Sequence, residues 1–291
     1  MKRTLILAGA IAMVATACGT AAETTSSDAV GATGTATPAT VVTPPGEIAS
    51  LVRVFDGDSF EAEVNGTVVE VRMLGINAPE GYECHGDAAR DRLRELLDDT
   101  DLTLVQDGEE DTDRFGRQLR SVYASGRLVN ATMVAEGHAA ALQGGDPEEA
   151  TLVALSDAAF VDALGMWSPD ACDETVDATV SVTEIEYDPK GRDWENKSEE
   201  WVVIRNDGDT AVDVAGWILR DESSSHRYEF PNETTMAPGN EIRIRTGCGD
   251  NRASDVYWCA DDAVWSNGGD TVILQTAAGT VVDRVRYDGD Y

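Results

Sequence analysis

Alternating apolar and polar positions begin near residue 47 and predict a first domain that is rich in β-strands. Apolar residues alternate over 60–64 and again over 69–73, and Asn65-Gly66 between them is typical of a tight hairpin turn. Arg72 lies within the second of these strands. Because side chains alternate along a strand, we expect Arg72 on the face opposite to its apolar neighbours.

A helical period replaces the alternation in three later stretches of this domain. In the first of them, Ala88, Leu93, Leu96 and Leu97 have the spacing of one buried helix face. The predicted helices cover 87–97, 128–141 and 147–164, and further strands are predicted over 102–105 and 119–123. This order of elements predicts a compact β-barrel with three helices.

The pattern changes again after Cys172, where short β-rich runs recur between turn signals such as Pro238-Gly239. The runs are Val180–Ile185, Trp201–Arg205, Val212–Leu219, Ile242–Arg245, Thr271–Leu274 and Val281–Tyr287. Many short strands without a helical period predict an all-β sandwich. The chain is therefore expected to contain two domains of different class.

The first residues have the layout of a secretory signal peptide: a basic start, an apolar run over 5–17 and then Cys18. Cys18 follows Ala15-Thr16-Ala17, which resembles the lipobox of bacterial lipoproteins and implies lipidation of Cys18. The alternative is a secreted protein that is cleaved nearby. Either way we expect the protein outside the cytoplasm, on the extracellular face of the membrane or secreted.

Composition completes the predicted domain boundaries. From Cys18 to about Gly46 the chain is mainly Thr, Ala, Ser, Gly and Pro, which cannot bury a core and favours a flexible tether. We therefore predict a signal peptide over 1–17, a disordered tether over 18–46, a first domain over 47–173 and a second over 178–291.

The cysteine count agrees with export. Setting Cys18 aside for lipidation leaves four of the five cysteines, and an oxidising compartment favours their pairing. Four cysteines allow three connectivities. We favour Cys84–Cys172 and Cys248–Cys259, because each pair then lies within one predicted domain.

The net charge of −32 changes the expectation about partners, since so acidic a chain repels nucleic acid at long range. Only three residues are lysine, which together with the excess of Asp and Glu is typical of a salt-adapted surface. High salt shortens the Debye length and screens that repulsion. A polyanionic substrate is therefore compatible with the charge, provided that positive groups are concentrated locally.

Three motifs in order carry candidate chemistry: Asp56-Gly57-Asp58-Ser59, then Arg72 on a strand that leads into Gly75-Ile76-Asn77-Ala78-Pro79-Glu80, then Asp113-Arg114-Phe115-Gly116-Arg117. Over about 48–172 the sequence resembles the staphylococcal nuclease (thermonuclease) family. Its motifs run as DGDT, an arginine before a GIDAPE-like loop, and D-x-[YF]-G-R. The resemblance implies an OB-fold barrel and a calcium-dependent nuclease.

The residue types suit phosphodiester cleavage on chemical grounds alone. Carboxylates and carbonyl oxygens are the ligands that Ca²⁺ prefers, and a hard cation can polarise a phosphate oxygen. Arginine holds a phosphate through two parallel donors and keeps its charge at working pH. A carboxylate can orient or deprotonate the attacking water, which contributes roughly 10²–10⁴ in rate.

The resemblance implies a calcium site made of four residues. Asp58 would be the main carboxylate ligand, Asp56 would act through water, and Ala78 would offer its backbone carbonyl. The family's second calcium carboxylate falls at Asn77 in this chain. An amide oxygen keeps the geometry but removes a charge, so we expect weaker calcium binding.

The resemblance also implies catalytic roles for Arg72 and Arg117, which would clamp the phosphate and stabilise its transition state, and for Glu80, which would act on the water. The family's nucleotide-clamping tyrosine should fall near 140–142, where no aromatic residue occurs, and Phe115 stands in place of a tyrosine. Loss of stacking removes about 1–3 kcal/mol per base. We therefore expect weaker substrate binding with the core mechanism kept.

The histidines have no sequence context that indicates a metal site. We interpret His85, beside Cys84, as a polar surface residue, and His138 and His226 as structural residues without sequence partners.

The second half, over 180–287, resembles a lamin tail domain. The carrying segments are 200–206, 214–221, 228–231, 237–239 and 265–270, and the resemblance implies an immunoglobulin-like fold. No catalytic constellation occurs there, and Trp201, Trp217 and Trp265 are interpreted as core aromatics.

The sequence as a whole favours an extracellular nuclease for DNA or RNA with a non-catalytic C-terminal module that binds a partner or serves as a scaffold. Two alternatives remain at this point: a nucleic-acid-binding protein that has lost activity, and an envelope scaffold lipoprotein with an inert barrel. Retention of Arg72, Glu80 and Arg117 together argues against an inert site.

Overall fold

The computed structural model describes residues 43–289 apart from 175, 177 and 224. The predicted signal peptide, most of the predicted tether and Cys18 lie outside the described residues. No helix in the described part of the chain is long and apolar enough to cross a bilayer.

The first domain, residues 47–173, is built on a closed five-stranded barrel. Its strands are β1 (Glu47–Val54), β2 (Ser59–Val64), β3 (Thr67–Met73), β4 (Ile76–Asn77), β5 (Leu102–Val105), β6 (Gln118–Ala124), β7 (Arg127–Leu128) and β8 (Ala140–Ala141). The order is β3-β2-β1-β5-β6, and a parallel pairing of β3 with β6 closes it. The predicted barrel is confirmed, and β7 and the β4–β8 pair are additions that were not predicted.

The predicted hairpin is formed by β2 and β3 around Asn65-Gly66. Both turn residues have positive φ, 51° and 81°, which suits the right-handed twist of a two-residue hairpin. The register that follows pairs Ser59 with Arg72 directly. The hairpin therefore brings the end of the first motif next to the arginine of the second.

Three helices pack on the barrel: α1 (Gly86–Leu97), α2 (Val129–Ala135) and α3 (Glu149–Val161). On α1 the buried residues include Ala89, Leu93 and Leu97, so the prediction of Ala88 as a core residue was wrong. The predicted helix over 128–141 was wrong in its second half. The helix ends before Gly137, whose φ of 74° is left-handed, and the following alanines form β8.

The second domain, residues 178–289, is the predicted β-sandwich, of the immunoglobulin-like type. One sheet has the order β16-β15-β10-β9 and the other β13-β12-β17-β18, with a small β11–β14 pair beside them. The elements are β9 (Val180–Glu186), α4 (Asp193–Asn196), β10 (Trp201–Asn206), β11 (Val212–Asp213), β12 (Ile218–Arg220), β13 (Arg227–Glu229), β14 (Thr235–Met236), β15 (Glu241–Arg245), β16 (Asp255–Tyr257), β17 (Gly269–Gln275) and β18 (Val281–Asp288). The predicted strand over 212–219 is two short strands. Trp217 and Trp265 are buried in the core as expected, whereas the prediction of Trp201 as a core aromatic was wrong, because it is only partly buried and lies outside that cluster.

The two domains pack against each other and share an apolar cluster. The cluster contains Ile273 of the second domain together with Ala140, Met166 and Trp167 of the first. Polar contacts surround it: Arg284 donates to Asp157 at 2.7 Å, and Arg286 donates to the other oxygen of Asp157 at 3.1 Å. The described residues accordingly belong to one compact unit.

Both predicted disulfides are present. Cys84 is joined to Cys172 across 88 residues of sequence, and Cys248 to Cys259 across 11. The first bridge ties the loop before α1 to the end of the first domain. Cross-linking lowers the entropy of the unfolded chain, and the effect grows with the length of the closed loop.

Replacing Cys84 and Cys172 by alanine should therefore destabilise the protein by about 2 kcal/mol more than the same change at Cys248 and Cys259. Urea unfolding of the two double variants, followed by tryptophan fluorescence, measures the difference. An equal loss in both variants would contradict the loop-length argument.

Candidate active site

The buried Asp58 carboxylate lies at the centre of the site. It is only 4% exposed and follows the turn at Gly57, where an added Cβ would lie 2.6 Å from that of Ala78. One carboxylate oxygen accepts hydrogen bonds from the Ser59 hydroxyl at 2.9 Å and lies 3.2 Å from Nε of Arg72. The other accepts the Ala78 N–H at 2.7 Å. Asp58 thus joins the first motif to the second.

Arg72 is oriented by its own loop as well as by Asp58. Its Nη1 donates to the carbonyls of Met73 and Ile76, each at 2.7 Å, and its Nη2 donates to Oδ1 of Asn77 at 3.1 Å. These hydrogen bonds use three of the five N–H groups of the guanidinium, and the ion pair of Nε with Asp58 adds a fourth contact. Arg72 therefore has a fixed position facing Asp58 and Asn77.

Arg117 reaches the same place from the third motif. Its Nε donates to Asp113 at 2.7 Å, and its Nη1 donates to the Ser59 hydroxyl at 3.3 Å. Ser59 consequently contacts both Asp58 and Arg117. The Arg117 side chain is 24% exposed against 14% for Arg72, so it is the more accessible of the two cations.

Asp113 holds the turn that carries Arg117. Its Oδ1 accepts the backbone N–H groups of Phe115 and Arg117, while its Oδ2 accepts from the Arg117 guanidinium. Burial alone would raise the pKa of Asp113, but the hydrogen bonds from Arg117 and Phe115 outweigh it and lower that pKa. Asp113 therefore stays charged and keeps Arg117 aimed at Ser59.

Asp56 and Glu80 complete an anionic group around Asp58. Burial and the Asp58 charge raise the pKa of Asp56 to about 7. Burial and the charges of Asp58 and Glu83 raise the pKa of Glu80, against the opposing effect of Arg72 and Arg117. Glu80 thus lies within electrostatic range of Asp58 and of both arginines, and the negative charge gathered here is only partly neutralised.

The oxygens of this group suit a hard cation, because carboxylates, an amide oxygen and loop carbonyls are all calcium ligands. Burial is the main cause of the raised pKa of Asp56, and the repulsion from Asp58 that adds to it is the part that a bound cation would relieve. In the described part of the chain, no group of three or more His, Cys, Asp or Glu side chains is arranged to hold a metal ion. The calcium site expected from the sequence contains only two carboxylates, those of Asp58 and Asp56. The amide oxygen of Asn77 and the backbone carbonyl of Ala78 complete it.

The histidines differ from the sequence interpretation. His85 is half-buried, stacks on His138 with ring centroids 4.9 Å apart and shares a hydrogen bond of 2.9 Å with it. Burial, together with the charge of His138, lowers the pKa of His85 to about 4. His226 contacts Asp221 at 2.6 Å. The prediction of His85 as a surface residue was wrong, because the fold supplies a partner that the sequence did not indicate.

Comparison with known proteins agrees with the geometry. Residues 70–169 match the family described as Staphylococcal nuclease homologue, and residues 174–289 match the Lamin Tail Domain. The micrococcal nuclease of Shigella flexneri is 38% identical over 128 residues, which cover 40% of this chain and 72% of that protein.

The chain belongs to the staphylococcal nuclease family. As a member it is a hydrolase that acts on phosphodiester bonds, and a lamin tail domain follows its nuclease domain. Protein ParB of Escherichia coli is 33% identical over 131 residues, covering 40% of this chain and 71% of that protein. Endonuclease YncB of Bacillus subtilis (strain 168) is 33% identical over 94 residues, which cover 30% of this chain and 44% of that protein.

The fold brings every predicted site residue of the nuclease domain into one region, from Asp56 and Asp58 to Arg117. Sequence reasoning assigned no role to Ser59 or Asp113, although both stand inside the quoted motifs. It also missed Glu222 of the lamin tail domain, whose carbonyl accepts Nδ2 of Asn77 at 3.0 Å. No motif in the sequence indicates that last contact, because 145 residues separate the two partners.

Replacing Asp113 by asparagine should lower the turnover of nucleic acid by about tenfold, since Arg117 loses a charge-assisted hydrogen bond while the amide oxygen still holds the turn. Steady-state hydrolysis of DNA and RNA measures the effect. Asp111→Asn is the matched control, because Asp111 lies in the same loop but pairs with Arg120 at 2.7 Å. Equal turnover in the two variants would argue against Asp113 as the residue that positions Arg117.

Proposed function

We propose that this nuclease is an extracellular, calcium-dependent enzyme that hydrolyses DNA, RNA or both. The observation that carries the proposal is that Asp58 forms an ion pair with Arg72 and is linked to Arg117 through hydrogen bonds of the Ser59 hydroxyl. An anionic oxygen group facing two guanidinium groups is the arrangement that phosphodiester hydrolysis needs.

Calcium would be held by Asp58, by the amide oxygen of Asn77 and by the carbonyl of Ala78, with Asp56 acting through water. When bound, it supplies a positive charge that polarises a phosphate oxygen. The oxygen-only donor set supports this choice of metal. Since Oδ1 of Asn77 also accepts from Arg72, the site offers less negative charge than two carboxylates would.

The arginines would bind and orient the phosphate. Arg117 has the more exposed guanidinium and can present two parallel donors to phosphate oxygens. Arg72 is held by contacts with Asp58, with Asn77 and with two loop carbonyls, so it contributes a fixed positive charge at little cost in ordering. Together they would stabilise the extra charge that develops on the phosphate in the transition state.

Glu80 would orient the attacking water and accept its proton. Its carboxylate shares the site with Asp58 and both arginines, as the mutual effects on its pKa indicate. A carboxylate in that position can act as a general base on water. Arg72 and Arg117 oppose the rise in the pKa of Glu80 that burial and the charge of Asp58 cause, and so favour its charged form.

We further propose that the enzyme works outside the cell, anchored through lipidated Cys18 or secreted. The apolar run before Cys18 and the two disulfides support this location, because such bridges persist in oxidising compartments. The lamin tail domain would serve as a non-catalytic binding or scaffold module. A cleft of about 670 Å³ between Arg114 and that domain is lined by both signs of charge, with Arg227 beside Glu229, Asp261 and Asp262.

Calcium should be required for hydrolysis of nucleic acid by the purified protein. Chelation by EDTA should abolish activity, and added Ca²⁺ should restore it and should bind measurably in isothermal calorimetry. Mg²⁺ at the same concentration is the control, because it demands a stricter geometry. Full activity in EDTA would refute calcium dependence, and inactivity in every metal would favour a binding or scaffold protein.

Arg117→Ala and Glu80→Ala should each lower turnover by roughly 10²–10⁴ without unfolding the protein. Initial rates on DNA and RNA, together with thermal unfolding, measure both effects. Arg94→Ala and Glu95→Ala on the outer face of α1 serve as controls, since their side chains are exposed. Wild-type rates in either site variant would exclude the assigned role.

A further inference from the structure

Asn77 lies between a donor and an acceptor that come from different domains. On one side Arg72 donates to its Oδ1 at 3.1 Å, and on the other its Nδ2 donates to the backbone carbonyl of Glu222 at 3.0 Å. Only an amide side chain, which has one carbonyl oxygen and one NH2 group, satisfies both of these contacts. An aspartate would place a carboxylate oxygen against the Glu222 carbonyl, so the contact fits asparagine and disfavours the family's carboxylate.

Glu222 itself is fixed in place. It is 5% exposed, and its two carboxylate oxygens accept the backbone N–H of Gln143 at 3.1 Å and that of Thr271 at 2.8 Å. Gln143 lies two residues beyond the end of β8, the strand that pairs with β4, and Thr271 belongs to β17. Glu222 thus joins the core sheet of the lamin tail domain to the strand pair that carries Asn77.

A second contact reaches the loop of Glu80. One carboxylate oxygen of Glu83 accepts the Glu80 backbone N–H at 3.0 Å, and the other lies 2.7 Å from Nη1 of Arg227 in the lamin tail domain. Glu83 is therefore held between Glu80 and the second domain. Both oxygens belong to the one planar carboxylate of Glu83, so the ion pair with Arg227 limits its movement. Arg227 thereby restrains the position of the Glu80 backbone.

We propose that the lamin tail domain is a positioning part of the nuclease site: the Glu222 carbonyl orients Asn77 and, through it, Arg72, while Arg227 orients Glu80 through Glu83. These residues do not touch substrate. They restrain the two loops whose side chains are assigned to metal, phosphate and water. The catalytic consequence rests on the proposed function, whereas the restraint itself does not.

The structure offers a matched pair of arginines for the test. Arg227 and Arg286 both extend from the lamin tail domain to a carboxylate of the nuclease domain, and their side chains are 34% and 26% exposed. Arg227 meets Glu83 beside the site, whereas Arg286 meets Asp157 on α3. A general loosening of the interface would affect both variants, but loss of positioning would affect only one.

Amide hydrogen exchange of the full-length protein in EDTA tests the restraint without metal or substrate. Arg227→Gln should raise the exchange of the Glu80 amide on the order of tenfold, whereas Arg286→Gln leaves it unchanged. Turnover should fall about tenfold in Arg227→Gln alone, with KM little changed, and Arg227→Lys should recover part of the loss. Equal effects of the two glutamine variants on exchange or on turnover would overturn the proposal.

Asn77→Asp tests the other contact. The added carboxylate should raise the exchange of the Gln143 amide, because repulsion from the Glu222 carbonyl displaces the segment that accepts this N–H. Unchanged exchange at Gln143 would overturn the role given to Glu222. A wild-type protein that hydrolyses nothing would refute the proposed function only, since the exchange measurements still decide whether the second domain restrains the loops.

Discussion

Arg72 and Asp58 are both almost removed from water, and each would be costly to bury without the other. Their contact at 3.2 Å fixes where the first motif meets the second. Ser59 then connects Asp58 to Arg117, and Asn77 connects Arg72 to the next domain. Loss of either partner would leave the other as an unpaired buried charge at the centre of this network.

Much of the site could be predicted because local geometry places it. A two-residue turn at Asn65-Gly66 dictates that Ser59 pairs with Arg72, so the approach of Asp58 to Arg72 follows from hairpin register. The place of Arg117 depends on the parallel β3–β6 pairing, which no local pattern fixes, and family resemblance supplied it. The helix over 128–141 failed because alanines are compatible with a helix or a buried strand, although Gly137 carried the stop signal.

The contacts made by the second domain could not be predicted by the same reasoning. Glu222 has no motif, and its role depends on how two independently patterned folds dock. Burial and the neighbouring Glu222 carboxyl raise the pKa of Asp270, and the two acids share a hydrogen bond. Such a buried acid pair is expensive unless every oxygen has a partner, and the backbone of both domains supplies those partners.

The apolar cluster that contains Trp167, Met166 and Ile273 affects how the two domains can evolve. Either domain on its own would expose an apolar surface. Gene fusion or shuffling at the junction near residue 174 therefore cannot replace one domain without exposing the apolar surface of the other. Lineages that inherit both domains should change residues 83 and 157 together with the arginines that contact them from the second domain. The pair would then evolve as one unit of selection rather than as two interchangeable modules.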